Sequence, residues 1–288
     1  MTYASEKTET DELRLRSLAC RSHDLFLGIM GLETRSEGTV RIFRGGRVAI
    51  LIALPLFGGL FASCAFRSTQ SYLHFSTPTP LRDQETLIIG FMGGRDSWRN
   101  TEVGVGRMAQ RMRDHHLPGV HVETVENRKR DLAVRLVRES LDLNGDGRLQ
   151  QAEPLNARII IYGQSFGGAA VVKFARQLHA LCIPVLLTVQ VDSVGLNDSE
   201  IPPNVLRAAN LYQDNGWLIR GEAPIRARNP ERTEILGNFR FDYEGSNIGL
   251  SHLPWHKTIG RVAHARMARD PAVWRKVEEF ILGVLERR

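Results

Sequence analysis

The chain has 288 residues, 42% of them hydrophobic, and a formal net charge of +6 at neutral pH, which is enough for one large α/β domain with an extension. The basic excess is spread as scattered arginines rather than runs, which favours a solvated basic surface over a nucleic-acid groove. Three cysteines, Cys20, Cys64 and Cys182, exclude a disulfide framework and have no metal-ligand spacing, and no Walker loop, dinucleotide fingerprint, zinc motif or repeat is visible.

Residues 1–47 are polar and end in Arg41, Arg44 and Arg47. Residues 48–66, VAILIALPLFGGLFASCAF, then run for 19 positions without a charge. That length can span a bilayer, although Pro55 and the Gly58-Gly59 pair make a poor helix. A basic flank, an apolar centre and small residues at the end also describe a secretory signal peptide. Phe61-Ala62-Ser63-Cys64 resembles a bacterial lipobox, in which the cysteine is lipidated and becomes the mature N-terminus, though a leucine is usual where Phe61 stands. The polar prefix is long for a signal peptide, and a start at Met30 would shorten it to an ordinary length. The expectation is an exported, membrane-associated protein, with the positive flank leaving the remainder outside the cytoplasm.

Residues 67–84, rich in Ser, Thr and Pro, read as a linker. A folded domain is expected over 85–288. Thr86 to Phe91 is a buried strand ending in the glycine-rich run Gly90-Phe91-Met92-Gly93-Gly94. A helix is expected over Asn100–His116, a strand over Val120–Val125 and a helix over Arg128–Leu141.

That helix leads into DLNGDGRLQQAE, residues 142–153. Asp142, Asn144 and Asp146 stand at positions one, three and five, and Gly147 takes the turn at six. Arg148 would offer a carbonyl at seven and Gln150 a side chain or water at nine. Glu153 is a bidentate carboxylate at twelve. This is the spacing of an EF-hand loop, whose oxygen donors suit a hard cation such as calcium. Pro154 follows at once, so the usual exit helix is missing, and a structural clip is expected rather than a sensor.

Ile159, Ile160 and Ile161 form a β-branched run that reads as a strand buried on both faces. Gly163-Gln164-Ser165-Phe166-Gly167 then gives G-x-S-x-G, and helix formers without proline continue to Leu181. Strand, tight turn with one serine, and helix are the context that this motif needs. Over roughly residues 85–288 the chain resembles the α/β-hydrolase superfamily. The resemblance implies a mostly parallel sheet with helices on both faces and a small or absent lid. It also implies Ser165 as nucleophile, and an oxyanion hole from the turn at Phe91 and Met92 together with Phe166.

Ile183 to Val191 is a further buried strand ending at Asp192, and Ala208 to Gln213 ends at Asp214. The superfamily's acid follows one or the other, and Asp192 is preferred because its strand is the more apolar. The last strand is expected over Ile235–Tyr243 and the last helix over Pro271–Leu285. Between them lie His252, His256 and His264. His264 has the family-like spacing before Asp270-Pro271, with His252 second. The expected reaction is hydrolysis of a carboxylic ester or thioester by a Ser165-Asp192-His264 triad, with no organic cofactor and no nucleic-acid partner. The alternative is a non-catalytic hydrolase-fold envelope or calcium-binding protein.

Overall fold

The computed structural model describes residues 70–150, 152–215, 221, 224–246, 248–249 and 262–287. The apolar stretch at 48–66, with Cys64, lies outside the described residues, as do His252 and His256. No described helix is long and apolar enough to cross a membrane.

Six strands form the main sheet: β1 (Thr86–Met92), β2 (Val120–Glu126), β3 (Ile159–Gln164), β4 (Val185–Val191), β6 (Val205–Tyr212) and β8 (Glu234–Arg240). Two short strands, β5 (Glu200–Ile201) and β7 (Arg226–Ala227), pair separately. The main order is β2-β1-β3-β4-β6-β8, with every neighbouring pair parallel. Every residue of β1, β3 and β4 is buried, as continuous apolar runs require when helices cover both faces.

The helices are α1 (Gly104–Asp114), α2 (Arg130–Leu141), α3 (Phe166–Ala180), α4 (Val262–Met267) and α5 (Pro271–Leu285). One face of the sheet packs against Met108 and Met112 of α1 and Val277 and Ile281 of α5. The other packs against Leu136 of α2 and Phe174 and Leu178 of α3. This is the expected α/β-hydrolase architecture. The first helix begins four residues later than its apolar pattern suggests, because Asn100 Oδ1 accepts the Glu102 N–H at 3.0 Å and holds a turn there.

Residues 70–84, expected as a linker, lie against the domain. The Gln70 amide donates to the Thr124 carbonyl at 2.8 Å and accepts the Glu126 N–H at 2.9 Å, pairing with edge strand β2 as a neighbouring strand would. Buried Glu123 gathers both N–H groups and both hydroxyls of Ser76 and Thr77 on one carboxylate oxygen, at 2.7–3.0 Å. The His74 ring stacks on Trp98 with centroids 4.8 Å apart. These contacts cover an edge that would otherwise present free backbone groups.

Strand order reverses between β1 and β3, since the chain moves from β1 outward to β2 and then returns to β3 and onward. In open parallel sheets a crevice opens at such a point, beyond the carboxyl ends of the strands. Gly93 follows β1 and Ser165 follows β3, so both stand at that crevice.

Candidate active site

Ser165 sits between β3 and α3 with φ 57° and ψ −125°, a backbone region that L-residues rarely occupy. Its N–H donates to the Val191 carbonyl at 3.0 Å, and its carbonyl accepts from Val194 at 3.1 Å and Ala169 at 3.3 Å. The turn is therefore fixed by the neighbouring strand and by its own helix. The glycines on either side are there for space. A methyl group on Gly163 would lie 2.5 Å from the Gly167 carbonyl oxygen, and one on Gly167 would lie 2.0 Å from the Phe91 carbonyl oxygen.

At the start of α3 the first backbone N–H groups lack intrahelical partners, and Phe166 is the first residue of that helix. Phe91 and Met92 are the last two residues of β1 and are fully buried. The residue that reaches Ser165 is the next one, Gly93. A methyl there would lie 3.0 Å from the Gln164 carbonyl oxygen and 3.4 Å from Ser165 Cβ. Asn127 fixes this turn by donating to the carbonyls of Met92 at 2.9 Å and Gly94 at 2.8 Å.

Asp192 directly follows β4, one strand away, with φ 44° and a fully buried side chain. Its N–H donates to the Leu211 carbonyl at 2.7 Å. Asp192 Oδ2 lies 2.6 Å from His264 Nδ1, across 72 residues of sequence. His264 stands on the short helix α4 rather than in a loop, and its side chain is 16% exposed, so the ring is reachable from solvent on one side. A carboxylate on Nδ1 holds the proton there and leaves Nε2 as the ring's basic nitrogen. The Ser165 hydroxyl makes no hydrogen bond to His264 or to any other described residue. The other acid considered, Asp214, forms an ion pair with Arg240 at 2.9 Å on the surface.

Residues that the sequence did not single out complete the surroundings. Gln213, fully buried at the end of β6, donates from Nε2 to both oxygens of Asp192 at 3.2 Å. Ser193 donates to Asp198 at 2.5 Å and so ties down the loop that leaves Asp192. Phe166, the residue after Ser165, is 54% exposed, and Leu196 on the loop that leaves Asp192 is 81% exposed.

The loop 142–153 has the oxygen donors that a hard cation takes. Its side-chain oxygens are turned to the loop's own N–H groups. Asp142 accepts from Gly147 at 2.8 Å, Asn144 from the Asp146 N–H at 2.9 Å, and Asp146 from Arg148 at 2.8 Å and the Gln150 amide at 2.9 Å. Glu153 accepts from Leu143 at 3.0 Å and Gln150 at 2.6 Å. Among the described residues no three His, Cys, Asp or Glu side chains converge as a bound metal requires.

A parallel sheet with helices on both faces carries a strained serine between strand and helix, and an acid–histidine pair stands at the carboxyl ends of the neighbouring strands, which is the α/β architecture expected of an α/β-hydrolase fold. No protein-family model and no curated protein sequence matches the chain. Among solved structures it is similar to one described as a novel cutinase-like protein from Cryptococcus sp. The two are 14% identical with a TM-score of 0.40, over 72% of this chain and 98% of that one.

Proposed function

We propose that this protein is a serine hydrolase that cleaves a carboxylic ester or thioester, with Ser165 as nucleophile, His264 as general base and Asp192 as its orienting acid. The observation that carries the reading is the 2.6 Å contact between Asp192 and His264 beside the strained turn of Ser165. Ser165 Oγ attacks the acyl carbon as its proton passes to His264 Nε2. Buried Asp192 stabilises the resulting imidazolium. The oxyanion accepts from the Phe166 N–H and from the turn at Met92–Gly94, each donor contributing on the order of 3 kcal/mol. The imidazolium protonates the leaving alcohol or thiol, and water then attacks the acyl-serine with the same histidine as base. Phe166, exposed and next in sequence to Ser165, favours an acyl group with a hydrophobic chain.

A fluorophosphonate probe tests this directly. Wild-type protein should be labelled at Ser165, with Ser165→Ala and His264→Ala both unlabelled. Their losses of p-nitrophenyl ester hydrolysis should be similar and non-additive, because the residues act as a unit. No labelling of folded wild-type protein would leave the non-catalytic alternative, a hydrolase-fold envelope protein.

Export and membrane attachment through residues 48–66, with lipidation at Cys64, are part of the same proposal. Their support is the uncharged stretch behind three arginines. Cys64→Ser should move the protein out of the membrane fraction, and soluble full-length wild-type protein in the cytoplasm would defeat this part.

A further inference from the structure

We infer that Gln213 is a positioning residue of the site, one that sets how tightly the Asp192–His264 pair holds its proton; the inference rests on the triad reading above. The Gln213 side chain is fully buried, and Nε2 lies 3.2 Å from both Asp192 oxygens. The carboxylate is thus shared between an amide and an imidazole. An amide N–H stabilises the ionised carboxylate but cannot itself lose a proton. It therefore withdraws part of the charge that would otherwise be directed at His264. The backbone keeps Gln213 in place, because β6 runs beside β4 and the Gln213 carbonyl accepts the Gly221 N–H at 3.1 Å.

The other ionisable groups of this neighbourhood, among the described residues, do not compete for that role. Asp198 is engaged by Ser193. The Tyr243 hydroxyl donates to Asp270 at 2.8 Å, and Arg266 donates to the Tyr243 carbonyl at 3.0 Å. Burial, then the Asp270 bond and the charges of Asp270 and Asp192, push the Tyr243 hydroxyl far above its ordinary range. Tyr243 is therefore neutral at ordinary pH and adds no charge beside the pair.

Removing the amide has a sign that can be worked out. Without its donor, Asp192 either stabilises the imidazolium more strongly or retains a proton itself because it is buried. In both cases the pair holds its proton to higher pH. Gln213→Met keeps the volume and deletes the donor. Gln213→Glu keeps the shape and places a second carboxylate against Asp192, which should strengthen the effect.

The test is the pH profile of kcat/KM for a p-nitrophenyl ester, together with NMR titration of the His264 ring protons. These are followed in wild type, Gln213→Met and Gln213→Glu, each checked for folding by thermal melt. Expected is a roughly tenfold or greater fall in kcat with KM within about twofold. The acid limb and the ring titration should both move to higher pH, further in Gln213→Glu. Folded variants whose limb and ring titration superimpose on wild type would overturn the inference, even if kcat fell uniformly, since a packing defect lowers rate without moving a titration. The NMR arm needs no turnover. If wild type fails to label at Ser165 the hydrolase reading falls, yet the His264 titration still decides whether Gln213 acts on the pair. If Gln213→Met fails to fold, Gln213→Glu carries both measurements.

Discussion

Gly221 is packed so closely on Asp192 that a methyl group at its Cα would lie 2.2 Å from Asp192 Oδ1 and 3.2 Å from Tyr212 Cβ. The carboxylate is therefore walled by His264, Gln213 and a residue that can only be glycine without rearrangement. Gly221→Ala should displace either the Gly221 segment or the Asp192 side chain, and the 2.6 Å bond to His264 should lengthen. The expected result is a fall in kcat of about tenfold or more, since small misplacements of reacting groups are costly, with a much smaller change in melting temperature. Activity equal to wild type would show that the wall yields without touching the acid.

Glu123 offers a test of the segment laid along the sheet edge. Four donors from Ser76 and Thr77 converge on one of its oxygens, and the side chain is buried. Glu123→Ala would leave those donors without their acceptor and should cost about 2–3 kcal/mol. Glu123→Gln keeps an acceptor oxygen and should cost less. Limited proteolysis should then cut within residues 70–84 in the alanine variant well before the wild type. Equal resistance of the two proteins would mean that Gln70 and the His74–Trp98 stack hold the segment without the carboxylate.

The strands nearest the site were the most legible part of the sequence, because parallel strands covered on both faces must be written as continuous apolar runs. The run at Ile159–Ile161 and the run that ends at Val191 are both of this kind. The serine turn was legible for a steric reason, since glycines at 163 and 167 leave room for one strand and one helix to meet. What could not be read was whatever depends on register between distant strands. Gln190, Asn210 and Asn238 stand side by side on β4, β6 and β8, and the two asparagines bond at 3.3 Å. In the sequence they are isolated polar residues. Gln213 has the same character: as the last residue of a strand-like run it looks like a strand end, and only the neighbouring β4 puts Asp192 against it. The Ser- and Thr-rich segment 70–84 looked like a linker because its order comes from a carboxylate about 46 residues further on.

Acid should weaken the fold gently through carboxylates at or near the surface. Arg82 backbone hydrogen bonding holds Glu85 below its ordinary range, the Gln150 side chain followed by the Arg148 N–H does so for Asp146, and the Glu244 N–H followed by Asn215 does so for Asp242. A carboxyl group lowered in the folded state contributes stability above its unfolded value, roughly pH 4, and loses it as pH falls through the folded value. The urea midpoint should therefore decline steadily on acidification below about pH 5, by a small amount because these groups are near solvent and screened. Asp242→Asn should make that decline shallower. A midpoint that does not change across this window would mean that the unfolded chain holds these groups equally low.

Calcium provides the last test, because the loop 142–153 already has a shape without it. Asp142, Asp146 and Glu153 carry three negative charges within twelve positions, and each is held by backbone or amide N–H groups of the same loop. A divalent cation would draw those oxygens together and relieve their repulsion. It would bind the folded loop in preference to an extended chain, and so raise the melting temperature by mass action, by about 2.7 kcal/mol of stability at a hundredfold excess over Kd. The gain should be smaller at millimolar calcium if the ion must first displace the existing N–H bonds. Glu153→Gln removes a charge at the twelfth position and should abolish most of the calcium-dependent shift while leaving hydrolysis in place, since no loop ligand belongs to the serine site. Chelator should lower the melting temperature of wild type and not that of the variant. A wild-type melting curve unchanged by millimolar calcium and by chelator would show that the loop is closed by its own hydrogen bonds alone.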